Sequence, residues 1–441
     1  MSAPSAVPLL ARPPDAVLFR RPQGDITAAT FLGAARALAS RLPDAPLLNL
    51  CADRYHVALG LAAAALAGRI SLFTGDRSPA WLAALAARHP GLAVLAETPG
   101  PVDAPHLFPV IAAPPDPSAP PRLPADRPVA IVFTSGSTGE PVGHRKPWGA
   151  LAARSADAAR RFRLGGASVV GTVPGQHMYG FETTVLLPFH AATASWCGPA
   201  FYPVDVAAAL AACHAPRVLV TTPLQLRALL GAGIAMPPLA RVISATAPLE
   251  PAMAAAAERA WGTEVWEIFG ATEVGSIASR RTVGDGRWLL YPRVRLRAEA
   301  DLVRVIAPHA APFPLSDHIV PDGPAGFRLI GRATDLVKLG GRRASLAGLT
   351  RILTDIDGVE DGLFVAPPDL ETRPTARMLA FAVAPSLSAE AILAALRARI
   401  DPVFLPRRVI RLDRLPRDPL GKLPARALAA LRAEALAEEQ T

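Results

Sequence analysis

The chain has 441 residues, a length that allows roughly two to four domains and an ample hydrophobic core. Apolar residues make up 51% of the chain, but no apolar run reaches the roughly eighteen uncharged residues that a membrane helix needs. The net charge of +9 comes from scattered basic residues and not from basic blocks, which argues against nucleic-acid binding.

The cysteines and the N-terminus indicate a reducing compartment. Cys51, Cys197 and Cys213 show no CxxC spacing, which argues against a zinc site. Their apolar neighbours favour structural burial, and a thiol nucleophile is the alternative. The Pro-rich first residues lack the layout of a signal peptide. The sequence therefore predicts a cytoplasmic protein without stable membrane insertion.

The first 128 residues alternate between short apolar runs and segments with helical periodicity. This alternation predicts a parallel sheet with covering helices. The predicted helices are 31–42, 54–67 and 79–87, and the predicted strands are 47–51, 70–74 and 92–95. Residues 99–128 hold many prolines and almost no periodicity, so we expect a surface segment there.

A loop rich in glycine and hydroxyl side chains follows the next predicted strand, residues 129–133. It consists of Thr134, Ser135, Gly136, Ser137, Thr138 and Gly139, and it closes at Lys146. The glycines permit close approach of the backbone, so N–H groups, hydroxyls and the lysine can surround a phosphate-sized anion. The spacing differs from that of the P-loop. We therefore predict an anion-binding loop, and a flexible surface linker is the alternative.

Several predicted strands farther along the chain also end in polar loops. They are residues 169–173, 218–222, 241–244 and 265–269. Open α/β sheets bind ligands at such strand ends. From about residue 280, alternating Arg-rich segments predict antiparallel strands with one solvated face. A smaller unit is predicted to begin after Arg332.

Five motifs occur in one order along the chain. They are the loop at 134–146, Phe269-Gly270-Ala271-Thr272-Glu273, Leu315-Ser316-Asp317, Gly331-Arg332 with Asp335, and Pro416 to Lys422. In combination they resemble the adenylate-forming superfamily, which contains acyl-CoA synthetases, aryl-CoA ligases and peptide-synthetase adenylation domains. The resemblance covers roughly residues 129–428. It implies an α/β fold with a large N-terminal adenylation domain and a small mobile C-terminal domain.

The domain boundaries implied by this resemblance are 1–332 and 333–441. The first domain is expected to contain parallel sheets and a distorted β-barrel-like part, and the second to be α+β. Thr334 stands where the family usually carries Asp or Lys as the hinge.

The same resemblance implies which residues carry the chemistry. Lys422 matches the catalytic lysine, whose ammonium bridges the carboxylate and the α-phosphate. Glu273 matches the carboxylate that holds Mg²⁺, and Thr272 the hydroxyl that bonds a phosphate oxygen. The 134–146 loop would bind the β- and γ-phosphates, with Lys146 as a binding residue and not the catalytic lysine.

The nucleoside is expected to lie between three parts of the chain. Ala247, in the loop 244–249, and Phe269 with Gly270 match the adenine site, where the family usually has Tyr instead of Phe. Asp317 and Arg332 match the residues that contact the ribose, although Leu-Ser stands before Asp317 in place of the family's Thr-Gly.

The remaining implied residues concern the acid and the thiol. His177 matches the family's aromatic gate beside the acyl pocket, and Tyr179 and Phe181 are predicted to lie on the same wall, together with Glu182. Gly341 matches the small-domain loop, where it would let a pantetheine arm pass close to the backbone.

The resemblance implies a two-step ligase. A small aryl or acyl carboxylate would attack ATP, release pyrophosphate and form an acyl adenylate, and the acyl group would then pass to a thiol. The cofactors would be ATP, Mg²⁺ and CoA, or the phosphopantetheine of an acyl carrier protein in place of CoA. The alternative is a catalytically idle adenylate-binding or scaffold protein of a biosynthetic assembly line, because Thr334 and a short N-terminal region depart from the family.

Overall fold

The chain forms two compact units, which are described separately below. The first unit consists of residues 1–295 and 305–313, and the second of residues 296–304 and 314–441. The computed structural model describes residues 5–100, 102–109, 112–134, 142–198, 200–299, 302–315, 317–332, 336–339, 342–366, 378–418, 421 and 423–437. The functional boundary expected at residues 332 and 333 stays a prediction.

The strands, numbered in chain order, are β1 (Ala6–Pro8), β2 (Val17–Arg20), β3 (Ile26–Thr27), β4 (Leu47–Asn49), β5 (Ser71–Phe73), β6 (Ala93–Leu95), β7 (His106–Leu107), β8 (Arg122–Pro124), β9 (Pro128–Thr134), β10 (Val142–Pro147), β11 (Ser168–Gly171), β12 (Ala194–Trp196), β13 (Arg217–Thr221), β14 (Arg241–Ser244), β15 (Val265–Ala271), β16 (Gly275–Arg281), β17 (Arg287–Leu290), β18 (Arg295–Ala298), β19 (Val303–Ala307), β20 (Ala310–Leu315), β21 (Asp317–Pro321), β22 (Gly326–Arg332), β23 (Leu336–Leu339), β24 (Arg342–Ser345), β25 (Asp361–Val365), β26 (Leu379–Val383) and β27 (Val409–Arg411).

The α-helices are α1 (Ala28–Ala39), α2 (Arg54–Ala67), α3 (Pro79–Arg88), α4 (Trp148–Phe162), α5 (Met178–Gly180), α6 (Leu187–His190), α7 (Pro203–Ala212), α8 (Pro223–Gly231), α9 (Pro251–Trp261), α10 (Leu346–Thr354), α11 (Ala389–Arg397) and α12 (Ala425–Ala437). A π-helix spans Phe181–Val185, and a 3-10 helix spans Pro402–Phe404.

Two sheets organise the first unit. The smaller has the order β10-β9-β5-β4-β6-β7 and is parallel except at β10, which runs antiparallel to β9. The larger contains β17-β16-β15-β14-β13-β11-β12-β2-β3 and is parallel from β15 to β2. The parallel strands are short, apolar and buried, as strands covered by helices on both faces must be.

Helix α2 shows how local sequence defines the elements of this unit. The carboxylate of Asp53 accepts hydrogen bonds from the amides of Tyr55 (2.7 Å) and His56 (3.4 Å) and caps its N-terminus. Gly68, at φ 80°, ends the helix in the left-handed region that favours glycine. The alanine-rich helix between them is buried almost all round, as expected of a helix inside the core. Its bounds agree with the predicted helix 54–67.

The second unit has its own core. Strands β25, β26 and β27 form one sheet, and helices α10 and α11 contribute buried side chains such as Leu353 and Ile392 to the same cluster. Two antiparallel hairpins, β21–β22 and β23–β24, precede this sheet in the chain.

The predicted fold class is confirmed: parallel sheets with helices form the large unit, and a mixed α+β unit follows. Antiparallel strands occur from β16 onward, as the Arg-rich alternation predicted. In the described ranges these strands form open sheets and not a closed barrel. No helix within the described ranges is both long and apolar enough to cross a membrane.

Candidate active site

The β9–β10 hairpin positions the first group of polar side chains. Strand β9 is held in the sheet by buried apolar residues and ends at Thr134. Strand β10 returns beside it, with His144 opposite Val132 and Lys146 opposite Ala130. Because side chains alternate along a strand, His144 and Lys146 lie on the same face. The predicted phosphate-binding residues Ser135, Gly136, Ser137, Thr138 and Gly139 lie outside the described residues.

The β15–β16 hairpin positions the second group. Ala271 pairs with Gly275, so Thr272 and Glu273 lie in the turn at its tip. Gly275 has a φ of 88°, a conformation that glycine adopts without steric cost. A Cβ at Gly270 would come within 2.7 Å of the Gly275 carbonyl oxygen. Glycine at both positions therefore allows this tight turn.

Lys146, near the end of β10, joins the first hairpin to the tip of the second. Its ammonium donates to the carbonyl oxygen of Thr272 and, at 3.1 Å, to that of Glu273. The residue is only 5% exposed. Burial lowers the pKa of Lys146 to about 8, against the opposing effect of Glu182 and Glu273. The lysine holds the main chain of the turn, and the side chains of Thr272 and Glu273 take no part in these two bonds.

The carboxylate of Glu273 lies beside a histidine that the sequence analysis did not single out. Its Oε1 is 3.7 Å from Nε2 of His144, and the same nitrogen is 3.2 Å from the hydroxyl of Thr134. Burial lowers the pKa of His144; Lys146 lowers it further and Glu273 opposes the shift. The imidazole is therefore mainly neutral at pH 7, and the Glu273 side chain remains 31% exposed.

The donor set at this turn is suited to a hard cation that also binds phosphate. No group of three or more His, Cys, Asp or Glu that could hold a metal occurs in the part of the chain the structure describes. One carboxylate and a neighbouring hydroxyl are what a Mg²⁺ ion needs from the protein when phosphate oxygens and water complete its octahedron. The residues present therefore fit Mg²⁺ bound together with a nucleotide.

A second loop of the predicted nucleotide site follows β14. Ala247 is exposed in it, and Thr246 has a φ of 81°. The buried carboxylate of Glu267, on β15, accepts from the amide of Leu249 at 3.0 Å and pairs with Arg280 at 2.7 Å. Strand β15 thus fixes the end of this loop while it carries the Thr272–Glu273 turn.

Phe269, on the same strand, packs against Trp288 with ring centroids 5.7 Å apart. Its ring is half-buried, and the neighbouring Gly270 is exposed. The aromatic residue predicted to stack on adenine is therefore anchored on one side by a second ring.

The three predicted pocket residues differ in their surroundings. His177 is half-buried and begins helix α5. The hydroxyl of buried Tyr179 donates to the carbonyl oxygens of Thr221 (3.1 Å) and Ile243 (2.8 Å), so only its ring is left for an acid. Phe181 is fully buried in the core. Contact of these residues with a substrate stays a prediction.

The two predicted ribose contacts lie on one hairpin of the second unit. Asp317 begins β21 and pairs in register with Arg332 at the end of β22. Residues directly opposite each other in an antiparallel pair have neighbouring Cβ atoms, so the hairpin brings these positions together. Lys422 and Gly341 lie outside the described residues.

Two titratable residues of this region were not singled out from the sequence, although each left a signal. His144 stands two residues before Lys146, the spacing that places both on one face of a strand. Glu267 is a single charge inside an apolar run, a pattern that indicates a buried and partnered carboxylate. The sequence placed Glu182 on the wall of the acid pocket, and its contact with a substrate stays a prediction.

Comparison with known proteins agrees with this arrangement. The family model described as AMP-binding enzyme matches residues 12–309, more than half of the chain. A curated relative, 4-coumarate–CoA ligase of Rhodobacter capsulatus, is 34% identical over 234 residues, which cover 52% of this chain and 59% of the relative. The matched part thus spans less than two thirds of that relative.

Solved structures share the fold over nearly their whole length. ATP-bound MatB from Rhodopseudomonas palustris superimposes with a TM-score of 0.80 at 19% identity, covering 96% of both chains. O-succinylbenzoate CoA synthetase from Bacillus subtilis, in complex with AMP, gives 0.81 at 16% identity and covers 95% of this chain and 97% of its own. The anthranilate CoA ligase AuaEII in complex with anthranoyl-AMP gives 0.80 at 16% identity, with coverages of 98% and 99%.

The α/β fold of this chain is thus shared with solved structures, and the family model matches more than half of its residues. The chain belongs to the AMP-binding enzyme family. The family predicted from the five motifs is therefore confirmed.

Proposed function

We propose that the protein activates a small carboxylic acid with ATP, releasing pyrophosphate and forming an acyl adenylate, and then transfers the acyl group to a thiol. The observation that carries this proposal is the Thr272–Glu273 turn, whose main chain is fixed by Lys146 while its carboxylate stays partly exposed. Fixed oxygen donors at a strand end are what the binding of a metal-bound triphosphate requires.

Each predicted residue has a place in the proposed reaction. Glu273 holds Mg²⁺, which neutralises phosphate charge when it is bound, and Thr272 donates to a phosphate oxygen. The 134–139 loop binds the β- and γ-phosphates. Lys146 contributes positive potential from within the protein, because its ammonium is bonded to the turn. This refines its predicted role as a direct phosphate ligand.

The nucleoside and the acid are assigned by the same reasoning. Adenine lies against Phe269 and the Ala247 loop, with Asp317 and Arg332 on the ribose. The side chain of His177 gates the acid. Because the curated relative is a 4-coumarate–CoA ligase, aryl acids are the first class of substrate to test.

The second step and its partners extend the proposal. Lys422 acts in adenylation, and Gly341 lets the pantetheine arm of the acceptor approach. The acceptor is CoA, or the phosphopantetheine of an acyl carrier protein. The protein acts in the cytoplasm, where ATP and CoA are available.

An ATP–pyrophosphate exchange assay tests the first step. The purified protein is offered aryl, short-chain and medium-chain acids, each with Mg²⁺, and labelled pyrophosphate should enter ATP with at least one acid class. The product is then sought with free CoA and with a carrier protein in separate reactions. Absence of exchange with every class would favour the idle adenylate-binding alternative.

Two substitutions separate the half-reactions. Lys422→Ala should nearly abolish pyrophosphate release and leave thioester formation from a supplied acyl adenylate largely intact. Gly341→Leu should impair the thiol step and spare exchange, because a side chain would obstruct the pantetheine arm. Normal pyrophosphate release by the Lys422 variant would remove that residue from the proposed mechanism.

A further inference from the structure

Glu182 is a buried carboxylate to which the proposed reaction has given no role. It lies in the π-helix Phe181–Val185, between core residues, and is 5% exposed. A charge in such a position is costly unless hydrogen bonds or opposite charges compensate it. Single-turn π-helices occur frequently at functional sites. The contacts of Glu182 therefore show what this charge is used for.

The contacts lead to the β15–β16 hairpin. Oε2 of Glu182 accepts from the amide of Ser276 at 3.2 Å and from the hydroxyl of the same serine. The other oxygen lies so close to Gly275 that a Cβ there would collide with it. Glu182 thus lies directly against Gly275 and Ser276, the first two residues of β16 after the turn.

The charges around Glu182 come from three other elements. Burial raises the pKa of Glu182, while Ser276, Arg154 on α4 and Lys146 on β10 oppose this shift. The hydroxyl of Tyr291, after β17, lies within electrostatic reach of the carboxyl group. Arg154 is itself paired with Asp157 at 2.6 Å. Lys146 is bonded to the turn. The carboxylate is therefore held by Ser276, with the two cations acting at longer range.

Two buried side chains, one a donor and one an acceptor, thus hold one turn through its main-chain atoms. Lys146 binds the carbonyl groups of Thr272 and Glu273, and Glu182 binds the amide of Ser276. A turn held at both ends has little freedom to move the side chains at its tip. Misplacing a reacting or metal-holding group by about 1 Å can cost about 100-fold in rate.

We propose that Glu182 is a positioning residue that, through Ser276, fixes the orientation of Thr272 and Glu273 for adenylate formation. It touches neither phosphate nor metal and acts only through the main chain of the turn. This inference rests on the proposed function.

Kinetics of Glu182→Leu, Glu182→Gln and Ser276→Ala test the inference. We expect the exchange kcat to fall about 100-fold in the leucine variant, with the KM for the acid changed less than about threefold. Glutamine keeps an acceptor oxygen and should recover most of this loss. Ser276→Ala keeps the amide and should lose less than about tenfold. Asp44→Asn, which removes an exposed carboxylate paired with Arg69, is the control and should match the wild type.

Three results would overturn the inference. A leucine variant with wild-type kcat would show that the turn needs no such support. A loss confined to the KM for the acid would make Glu182 a pocket residue. A loss of activity that simply follows the melting temperature across all variants would make its role general stability. If the leucine variant does not fold, the glutamine and alanine variants decide by the same criteria.

Hydrogen–deuterium exchange separates this inference from the proposed function. The peptide covering residues 268–279 should exchange faster in Glu182→Leu than in the wild type, because the Ser276 amide loses its acceptor. This readout needs no substrate. The wild-type protein could activate no acid while this peptide exchanges faster in Glu182→Leu than in the wild type. The proposed function would then fail, and the inference that Glu182 fixes the turn would stand. Unchanged protection would overturn the positioning role.

Discussion

Two glutamates of the first unit follow buried strands, one in each sheet. Glu97 follows β6 in the smaller sheet, and Glu273 follows β15 in the larger. By sequence both look like carboxylates at the ligand-binding edge of an open α/β sheet. The structure uses them in different ways.

The side chain of Glu97 holds the main chain of a neighbouring loop. Its oxygens accept from the amides of Ala52 (2.9 Å) and Asp53 (3.0 Å) and from Nδ1 of His56 (3.0 Å). Burial alone would raise the pKa of Glu97, but these hydrogen bonds together lower it to about 2. This carboxylate is therefore occupied in fixing the start of helix α2.

Glu273 shows the opposite arrangement. Its main chain is held by another residue, and its carboxylate stays partly exposed. Lys146 binds the carbonyl oxygen, and the carboxylate lies 3.7 Å from the mainly neutral imidazole of His144. A strand-end carboxylate is thus a candidate for binding a ligand when other groups fix its backbone. It is a structural residue when its own oxygens are satisfied by amides.

The largest expected effect tests this contrast directly. Glu273→Gln should lower the kcat of ATP–pyrophosphate exchange by about 100-fold or more, because a charged ligand for Mg²⁺ is lost. Its melting temperature should stay close to that of the wild type, since Lys146 binds the backbone and not the side chain. Exchange kinetics at saturating Mg²⁺ and a thermal melt provide both numbers. Full activity in this variant would contradict the assignment of Glu273 as a ligand of Mg²⁺.

Loss of Lys146 should reproduce part of that defect with Glu273 intact. In Lys146→Met the two carbonyl groups lose their donor, the turn is released, and we expect exchange to fall by roughly 10- to 100-fold. A matched control is Arg41→Met, which removes an exposed cation after helix α1 of the same unit and should leave pyrophosphate exchange at the wild-type rate. If Lys146→Met catalysed ATP–pyrophosphate exchange at the wild-type rate, the hydrogen bonds from Lys146 to the turn would be irrelevant to catalysis.

Features of the site that involve residues close together in the sequence were predictable, and contacts between residues far apart in the sequence were not. The order of strands and helices, the bounds of α2 and the polar turn at Thr272–Glu273 follow from local patterns and motifs. The bond from Lys146 to that turn joins residues more than a hundred positions apart, and no local pattern encodes it. The predicted role of Lys146, on phosphate, therefore missed its partner in the fold.

Burial explains the other gaps in the prediction. A motif places Tyr179 and Phe181 after His177, but their surroundings depend on the path of the backbone. In helix α5 the hydroxyl of Tyr179 bonds two carbonyl groups, and in the π-helix the ring of Phe181 lies in the core. Pairing of Asp317 with Arg332 likewise depends on strand register, which motif matching does not give.

Glu97→Gln should have a smaller effect, and on stability instead of activity. The folded pKa of Glu97, about 2, lies below its usual 4.5, so its ionised form stabilises the protein above pH 4.5, and this stabilisation is lost as the pH falls toward 2. Because the side chain is 32% exposed, we expect a loss of about 1–2 kcal/mol in unfolding free energy at pH 7. Urea unfolding at pH 7 and pH 3 measures this loss, which should shrink at the lower pH. Exchange activity per folded molecule should be unchanged, and a large fall would contradict the contrast with Glu273.

The last prediction is a pH dependence in which activity and stability change in opposite directions. The folded pKa of Lys146, about 8, lies below its usual 10.5. Between these values the unfolded state binds more protons, so deprotonation of Lys146 should raise the unfolding free energy by about 1–3 kcal/mol as the pH increases. The neutral amine supplies no positive potential at the turn, so exchange should fall severalfold over the same range. Comparison with Lys146→Met between pH 7.5 and 9.5 isolates both changes, since this variant should show neither. A wild-type protein that lost activity and stability together above pH 8 would contradict the prediction, because that result would reflect unfolding and not titration of Lys146.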